Sequence, residues 1–178
     1  MIADSHFERL GLPRRFRLDL AALEATYLAR SRVAHPDFHS QATGGEQRAS
    51  EALAASLNEA YATLRDPFRR ADYLLGLHGG PSAAEHKQAL PAFLEEMLDL
   101  RMQIEEAKMA PDSPAQANLE KLLAQRHESM MEQTAKLYDQ LDQLAGDSPG
   151  RRAILVKIRQ SLNTTKYVQG LLRDLRAD

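Results

Sequence analysis

Apolar residues three and four positions apart run through nearly the whole chain, and this spacing restricts the fold more than any other feature. Such spacing places apolar side chains on one face of an α-helix, whereas a half-buried strand needs an apolar residue at every second position. No strand-like alternation occurs anywhere in the sequence. We therefore predict an all-α protein.

Short helices are predicted before residue 79. Asp4 or Ser5 can cap the first, and Gly11 stops it. The next three have the approximate bounds Asp19 to Ala34, Glu46 to Arg65 and Phe68 to His78, with Asp19 acting as an N-cap. We interpret His78 as a helix-terminal residue whose positive charge suits the helix dipole.

Longer helices are predicted after Pro91. Three amphipathic segments lie there, joined by short connections, and a segment rich in Gly, Pro and Ser separates them from the first part. An antiparallel three-helix bundle is typical of such segments. We therefore predict a helical domain at 1–78, a linker at 79–90 and a three-helix bundle at 91–178.

A break between the second and third helices leaves polar residues at a loop tip. Residues 30–40 read RSRVAHPDFHS. Pro36 has no backbone N–H, and its ring disfavours the α region for the residue before it, so a helix must end at or near His35. His35 and Asp37 are then expected at the tip of a loop between two antiparallel helices. By itself, His-Pro-Asp is also typical of an ordinary turn.

The surroundings of this loop resemble a known module. Tyr27 lies eight residues before His35, amphipathic helices flank the loop, and NEAYATLRDP follows at 58–67. These features resemble the J domain, the module that activates DnaK-type ATPase chaperones. The runs YLLGLHG at 73–79 and FLEEMLDLR at 93–101 are similar to those of HscB, the J-type co-chaperone family of iron–sulfur cluster assembly. The resemblance implies a J domain at 1–78, followed by the bundle.

The loop of a J domain binds the ATPase chaperone, here expected to be of the HscA/DnaK type. The resemblance therefore implies chaperone contacts for His35, Pro36, Asp37, Arg30 and Arg32. A carboxylate at a rigid tip can accept two hydrogen bonds from one arginine of a partner, which suits Asp37. The two arginines would attract an acidic surface, but a solvated helix face explains each of them equally well. The chain departs from the J-domain pattern at Ala34, Phe38 and Arg30.

The bundle of HscB binds the cluster scaffold protein IscU through an apolar patch on its first helix and an aromatic residue of its last. Matched motif by motif, the resemblance implies scaffold contacts for Leu94, Leu98, Asp99 and Tyr167. For both leucines, burial in the bundle core is the alternative. Glu95 and Met102 depart from the family's pattern, so the patch is altered in detail.

Helical spacing places the two leucines beside a second apolar face of the same helix. Leu94, Leu98 and Arg101 share one face by their spacing. We assign the neighbouring face to the bundle core; its residues are Phe93, Met97 and Ile104.

Composition excludes several classes of function. The chain has 23 basic and 25 acidic residues, so no basic field indicates nucleic acid or anionic lipid as a partner. It has no cysteine, which excludes disulfides and thiolate metal sites and suits a reducing compartment. No signal peptide and no apolar run of about 20 residues is present, so we expect a cytoplasmic protein.

Two alternatives belong to other classes. His35, Asp37 and His39 could form the site of a metal-dependent hydrolase, but Pro36 argues against the helix that would align the histidines. The other alternative keeps the J domain and changes the client, which makes the chain a general co-chaperone. We expect a co-chaperone without a cofactor that is not an enzyme.

Overall fold

The computed structural model describes residues 4–34, 44–86, 91–109, 113–144, 146 and 148–177. Within these ranges the chain forms helices and no strand, so the predicted all-α fold is confirmed. The helices, α1 to α7 in chain order, are His6–Leu10, Leu20–Ala34, Gly44–Arg65, Pro67–Leu77, Pro91–Lys108, Pro114–Asp142 and Pro149–Arg176. No described helix combines the length and the apolar content needed to cross a lipid bilayer.

Packing divides the chain into two compact units, Met1–Leu74 and Leu75–Asp178. The division falls inside α4, close to the predicted end of the first domain. The predicted boundaries at 1–78, 79–90 and 91–178 stay a prediction, because compactness alone does not define the function of each part.

The first unit is held together by apolar side chains of its short helices. Phe7 and Leu10 of α1, Leu23 of α2 and Leu64 of α3 are all 0% exposed. Full burial of such side chains contributes about 1.5–3 kcal/mol each relative to exposure. Burial of this size compensates for helices that would be too short to persist in isolation.

Side chains at the helix starts satisfy backbone groups that the helices leave unpaired. Ser5 caps α1: its hydroxyl accepts from the Glu8 N–H, and the Glu8 carboxylate accepts from the Ser5 N–H at 2.9 Å. Asp19 caps α2, because its carboxylate accepts from the Ala21 and Ala22 N–H groups at 2.9 and 3.2 Å. Both caps lie where the sequence predicts them.

The second unit is an antiparallel three-helix bundle. Side-chain pairs between α6 and α7 run in opposite directions along the two helices, from Glu120–Arg176 to Thr134–Ser161. The bundle core contains Met97, Leu100, Ile104, Ala107, Leu119, Leu123, Val168, Leu171 and Leu175. The assignment of Met97 and Ile104 to the core is confirmed, and Phe93 packs against that core while partly buried.

Residues His78–His86, called the strap below, are hydrogen-bonded to α7. Arg159 is only 6% exposed and donates from Nε to the Pro81 carbonyl at 2.8 Å. Asn163, one turn further along α7, donates to the carbonyl of His86. A buried guanidinium is costly unless it is hydrogen-bonded, so this contact fixes the course of the strap along the helix.

His78 makes the first contact of the strap with α7. Its Nδ1 lies 2.9 Å from Nη2 of Arg151. Because a guanidinium can only donate, Nδ1 accepts in this contact. The predicted helix-terminal position of His78 is confirmed, because α4 ends at Leu77, but its contact with a guanidinium does not fit the positive charge predicted for the ring.

An ion pair between α5 and α6 should make the stability of the bundle depend on pH. The hydrogen bond from Arg126 to Glu96 lowers the pKa of the Glu96 carboxyl. A lowered pKa gives stability that is present above the ordinary pKa and is lost as pH falls through the lowered one. We expect Glu96→Gln to reduce the free energy of unfolding by about 0.5 kcal/mol near pH 7, since the pair is half exposed.

Denaturant unfolding between about pH 7 and about pH 3 measures this effect. Glu95→Gln is the matched control, because Glu95 is exposed on the same helix and has no ion pair among the described residues. The loss caused by Glu96→Gln should shrink as the solution becomes more acidic. A constant loss across this range would contradict an electrostatic origin.

Candidate functional site

The predicted chaperone-binding tripeptide, His35, Pro36 and Asp37, lies outside the described residues, as does His39. The helix before it runs to Ala34, as predicted. Ala34 is buried, and the Ser50 hydroxyl of α3 donates to its carbonyl at 2.6 Å. The α2 end from which the loop departs is therefore fixed against α3.

Aromatic residues hold α2 and α3 together as a hairpin. Tyr27 of α2 stacks on Tyr61 of α3, with ring centroids 4.2 Å apart. The Tyr27 hydroxyl donates to Oδ1 of Asn58 at 2.8 Å. Because Tyr27 meets residues late in α3 while Ala34 meets Ser50, the two helices are antiparallel, as predicted. The sequence marked Tyr27 only by its distance from His35.

Arg30 has a structural partner that the sequence did not indicate. It donates from Nη1 to the carbonyl of Arg9 in the last turn of α1. Its Nη2 lies 2.6 Å from the point that a Cβ on Gly11 would occupy, and Gly11 ends α1 with φ +66°. A cation at this end of a helix satisfies an unpaired carbonyl and suits the dipole.

Arg32 differs from Arg30 although both are exposed on α2. Within the described residues Arg32 has no hydrogen-bond or ion-pair partner. Chaperone contacts for both arginines stay a prediction. Of the two side chains, only that of Arg30 also has a structural contact among the described residues.

Two of the predicted scaffold-binding residues of α5, Leu98 and Asp99, lie on its solvent side. Leu98 is 62% exposed and Asp99 is exposed, so burial of Leu98 in the bundle core is excluded. Leu94 lies in α5, but its side chain is not among those that the structure describes. Met102 and Met109 continue the exposed face, at 73% and 87% exposure. Their spacing from Leu98 could have identified this longer stripe in the sequence.

Tyr167 of α7 lies beside α5. Its ring meets that of Phe93 edge-on, with centroids 5.8 Å apart, and the residue is 50% exposed. Arg101 borders both this region and the exposed face that carries Leu98 and Asp99. Arg101 is thus the residue that the surface carrying Leu98 and Asp99 shares with the region around Tyr167.

No group of three or more His, Asp or Glu residues that could hold a metal ion occurs in the part of the chain that the structure describes. The residues of the hypothetical hydrolase site, His35, Asp37 and His39, lie outside that part. The described residues of this region are exposed apolar and charged side chains on helices.

Comparisons with known proteins agree on one family. Residues 90–176 match the family model described as the HSCB C-terminal oligomerisation domain. A co-chaperone protein HscB homolog of Ralstonia nicotianae is 45% identical over 123 residues, 68% of each chain. One from Burkholderia mallei is 41% identical over 142 residues, 79% of each chain.

Two solved structures share the fold. Chaperone HscB from Vibrio cholerae superposes with a TM-score of 0.80 at 25% identity, covering 97% of this chain and 95% of that one. Human co-chaperone protein HscB gives a TM-score of 0.82 at 24% identity, covering 99% and 82%. The likeness therefore extends over both compact units.

Replacing each of the two exposed arginines of α2 by alanine should distinguish a structural role from a binding role. We expect Arg30→Ala to lower the free energy of unfolding by about 0.5–1 kcal/mol, because the last turn of α1 loses a donor. Arg32→Ala is the matched control and should change stability by less than about 0.5 kcal/mol. Denaturant unfolding measures both. Equal stability of the two variants would contradict the capping role of Arg30.

Proposed function

The chain belongs to the HscB family of co-chaperones, and we propose that it stimulates the ATPase of an HscA/DnaK-type chaperone and delivers an IscU-type iron–sulfur scaffold protein to it. This work consists of binding two proteins and shifting one conformational equilibrium. It requires no cofactor, no nucleic acid, no membrane and no covalent step catalysed by the chain itself. We place it in the cytoplasm.

The chaperone arm of the proposal assigns binding to the loop after α2. His35, Pro36 and Asp37 contact the chaperone, and Arg30 and Arg32 add positive charge beside them. A partner that binds one chaperone conformation better shifts the population towards it by the difference in affinity. The hairpin supports this arm, because the Tyr27–Tyr61 stack and the hydrogen bond between Ser50 and Ala34 fix the α2 end from which the loop departs.

The scaffold arm assigns client binding to Leu94, Leu98, Asp99 and Tyr167. One observation carries it: Leu98 is 62% exposed on a helix whose opposite side forms the bundle core. A contiguous exposed apolar patch on a folded unit is typical of an interaction surface. Burial of this surface by a partner gains about 25 cal/mol for each Å² of apolar area removed from water.

The two arms also give the domains their roles. Residues 1–78 act on the chaperone, residues 91–178 hold the scaffold protein, and residues 79–90 connect them. The carbonyls of Pro81 and His86 in the connecting segment accept hydrogen bonds from α7. Part of this segment is therefore held against the last helix of the bundle.

Chaperone stimulation should depend on the loop carboxylate. We expect Asp37→Asn to reduce stimulation of the steady-state ATPase of an HscA-type chaperone by at least about tenfold, since the charged acceptor is lost. Asp99→Asn is the matched control and should leave stimulation without scaffold protein unchanged. No stimulation by the wild-type chain would contradict the chaperone arm. Stimulation that never responds to an IscU-type scaffold would favour a general J-domain co-chaperone with a different client.

Scaffold binding should depend on the exposed leucine of α5. We expect Leu98→Ala to weaken binding of a purified IscU-type scaffold about fivefold to thirtyfold, because apolar area buried on binding is removed. Leu122→Ala is the matched control, since Leu122 is a 52% exposed leucine on α6. Calorimetric titration measures both affinities. Equal affinities of the two variants would contradict this contact surface.

A further inference from the structure

A cavity of about 500 Å³ opens between α5, α7 and the strap, next to the proposed scaffold-binding face. Its lining residues are Ala83, Arg101, Asn163, Lys166, Tyr167, Gly170 and Leu171. Among the described residues that line it, two are cations and none is a carboxylate. Its volume lies within the range of about 300–1,000 Å³ that is usual for ligand pockets.

Several polar groups that line the cavity have no hydrogen-bond or ion-pair partner, or only a distant one, among the described residues. Neither the Lys166 ammonium nor the Tyr167 hydroxyl has a hydrogen-bond or ion-pair partner within the described residues. Arg101 pairs with Asp174 only at 3.7 Å, and both side chains are substantially exposed. An exposed pair of this length contributes little, so Arg101 can exchange its partner at small cost. The cavity therefore presents two cations and a hydroxyl whose acceptors, among the described residues, are absent or distant.

The walls of the cavity are held by specific contacts. Asn163 donates to the His86 carbonyl, and Arg159 donates to the Pro81 carbonyl at 2.8 Å. These bonds fix the strap on both sides of Ala83, which lines the cavity. On α7, Tyr167 is packed edge-on against Phe93. The space is thus bounded by hydrogen-bonded and packed elements.

Gly170 leaves the interior of the cavity open. A Cβ at this position would meet no heavy atom within 4 Å outside the local helix. Glycine inside a helix is less favourable than any other residue except proline. The chain therefore has a destabilising residue in α7 at a point where no close packing requires it and where the cavity needs room.

We propose that this cavity accepts the carboxylate of an aspartate or glutamate side chain of the scaffold protein. This inference rests on the proposed function, and it requires an acidic side chain on the scaffold surface that meets this chain. Lys166 and Arg101 supply the opposite charge, and the Tyr167 hydroxyl supplies a donor. Apolar side chains next to that acidic residue pack on Leu98 and its neighbours, because Arg101 borders both the cavity and that exposed face.

Two variants of the full chain test the proposal by calorimetric titration with a purified IscU-type scaffold. Lys166→Gln should weaken binding about threefold to tenfold in about 50 mM salt, and the difference should shrink in about 500 mM salt, where exposed charges are screened. Gly170→Leu should fill the cavity and weaken binding about tenfold. Its thermal unfolding temperature should not fall, because leucine is a better helix former than glycine.

Matched controls exist for both variants. Lys157→Gln removes an exposed lysine elsewhere on α7, and Gly76→Leu fills open space at an exposed helical glycine of α4. Both should bind the scaffold like the wild-type chain. Substitution of scaffold acidic residues one at a time to amides should reveal one that weakens binding to the wild-type chain but not to Lys166→Gln. Absence of any such coupled residue would overturn the proposal.

The outcomes separate this proposal from the function on which it rests. A wild-type chain that binds no scaffold overturns both. A wild-type chain that binds, with binding weakened by Leu98→Ala but not by Lys166→Gln or Gly170→Leu, overturns only the carboxylate cavity. Weakening by Lys166→Gln that persists unchanged at high salt also overturns it, because the contact would then not be ionic.

Discussion

The second unit depends on burial of one face of α7. Ile158, Leu162 and Val168 are all 0% exposed on this helix, which packs against α5 and α6. With that face committed to the core, the remaining faces of α7 carry the polar side chains that hold the strap and the ring of Tyr167 that meets α5. The position of Tyr167 and the cavity beside it therefore depend on the apolar face of α7, because burial of that face fixes the rotation of the helix about its own axis.

Arginines reach unpaired carbonyls at the ends of helices in both units. Arg30 donates to the last turn of α1, Arg70 to the Leu64 carbonyl near the end of α3, and Arg151 to the Leu141 carbonyl near the end of α6. The last four carbonyls of a helix lack a partner within it, and a guanidinium brings both donors and the charge that the dipole favours. Arg70 also lies over the ring of Phe16, and burial lowers its pKa. These contacts tie helix ends to neighbouring segments of the same unit.

Much of the fold and part of the candidate site could be predicted from local sequence. The spacing of Met97 and Ile104 predicted the buried side of α5, and the capping roles of Ser5 and Asp19 followed from their positions before helical segments. Leu98 was left between core and surface, because a helical stripe wider than the core requires leaves residues at its edge that spacing cannot assign. The loop residues His35, Pro36 and Asp37 were predicted from a motif, and they lie outside the described residues.

The sequence by itself determined the all-α class, the approximate helix bounds and the caps at Ser5 and Asp19, because each depends on residues within a few positions of one another. Only the tertiary structure decided that Arg30 serves α1, that the ring of His78 meets Arg151, and that Gly170 leaves a cavity open. Each of these depends on segments far apart in the chain that come together when the units fold. Helical periodicity specifies which side of a helix is apolar. Which polar groups meet between two segments is decided by how the segments pack.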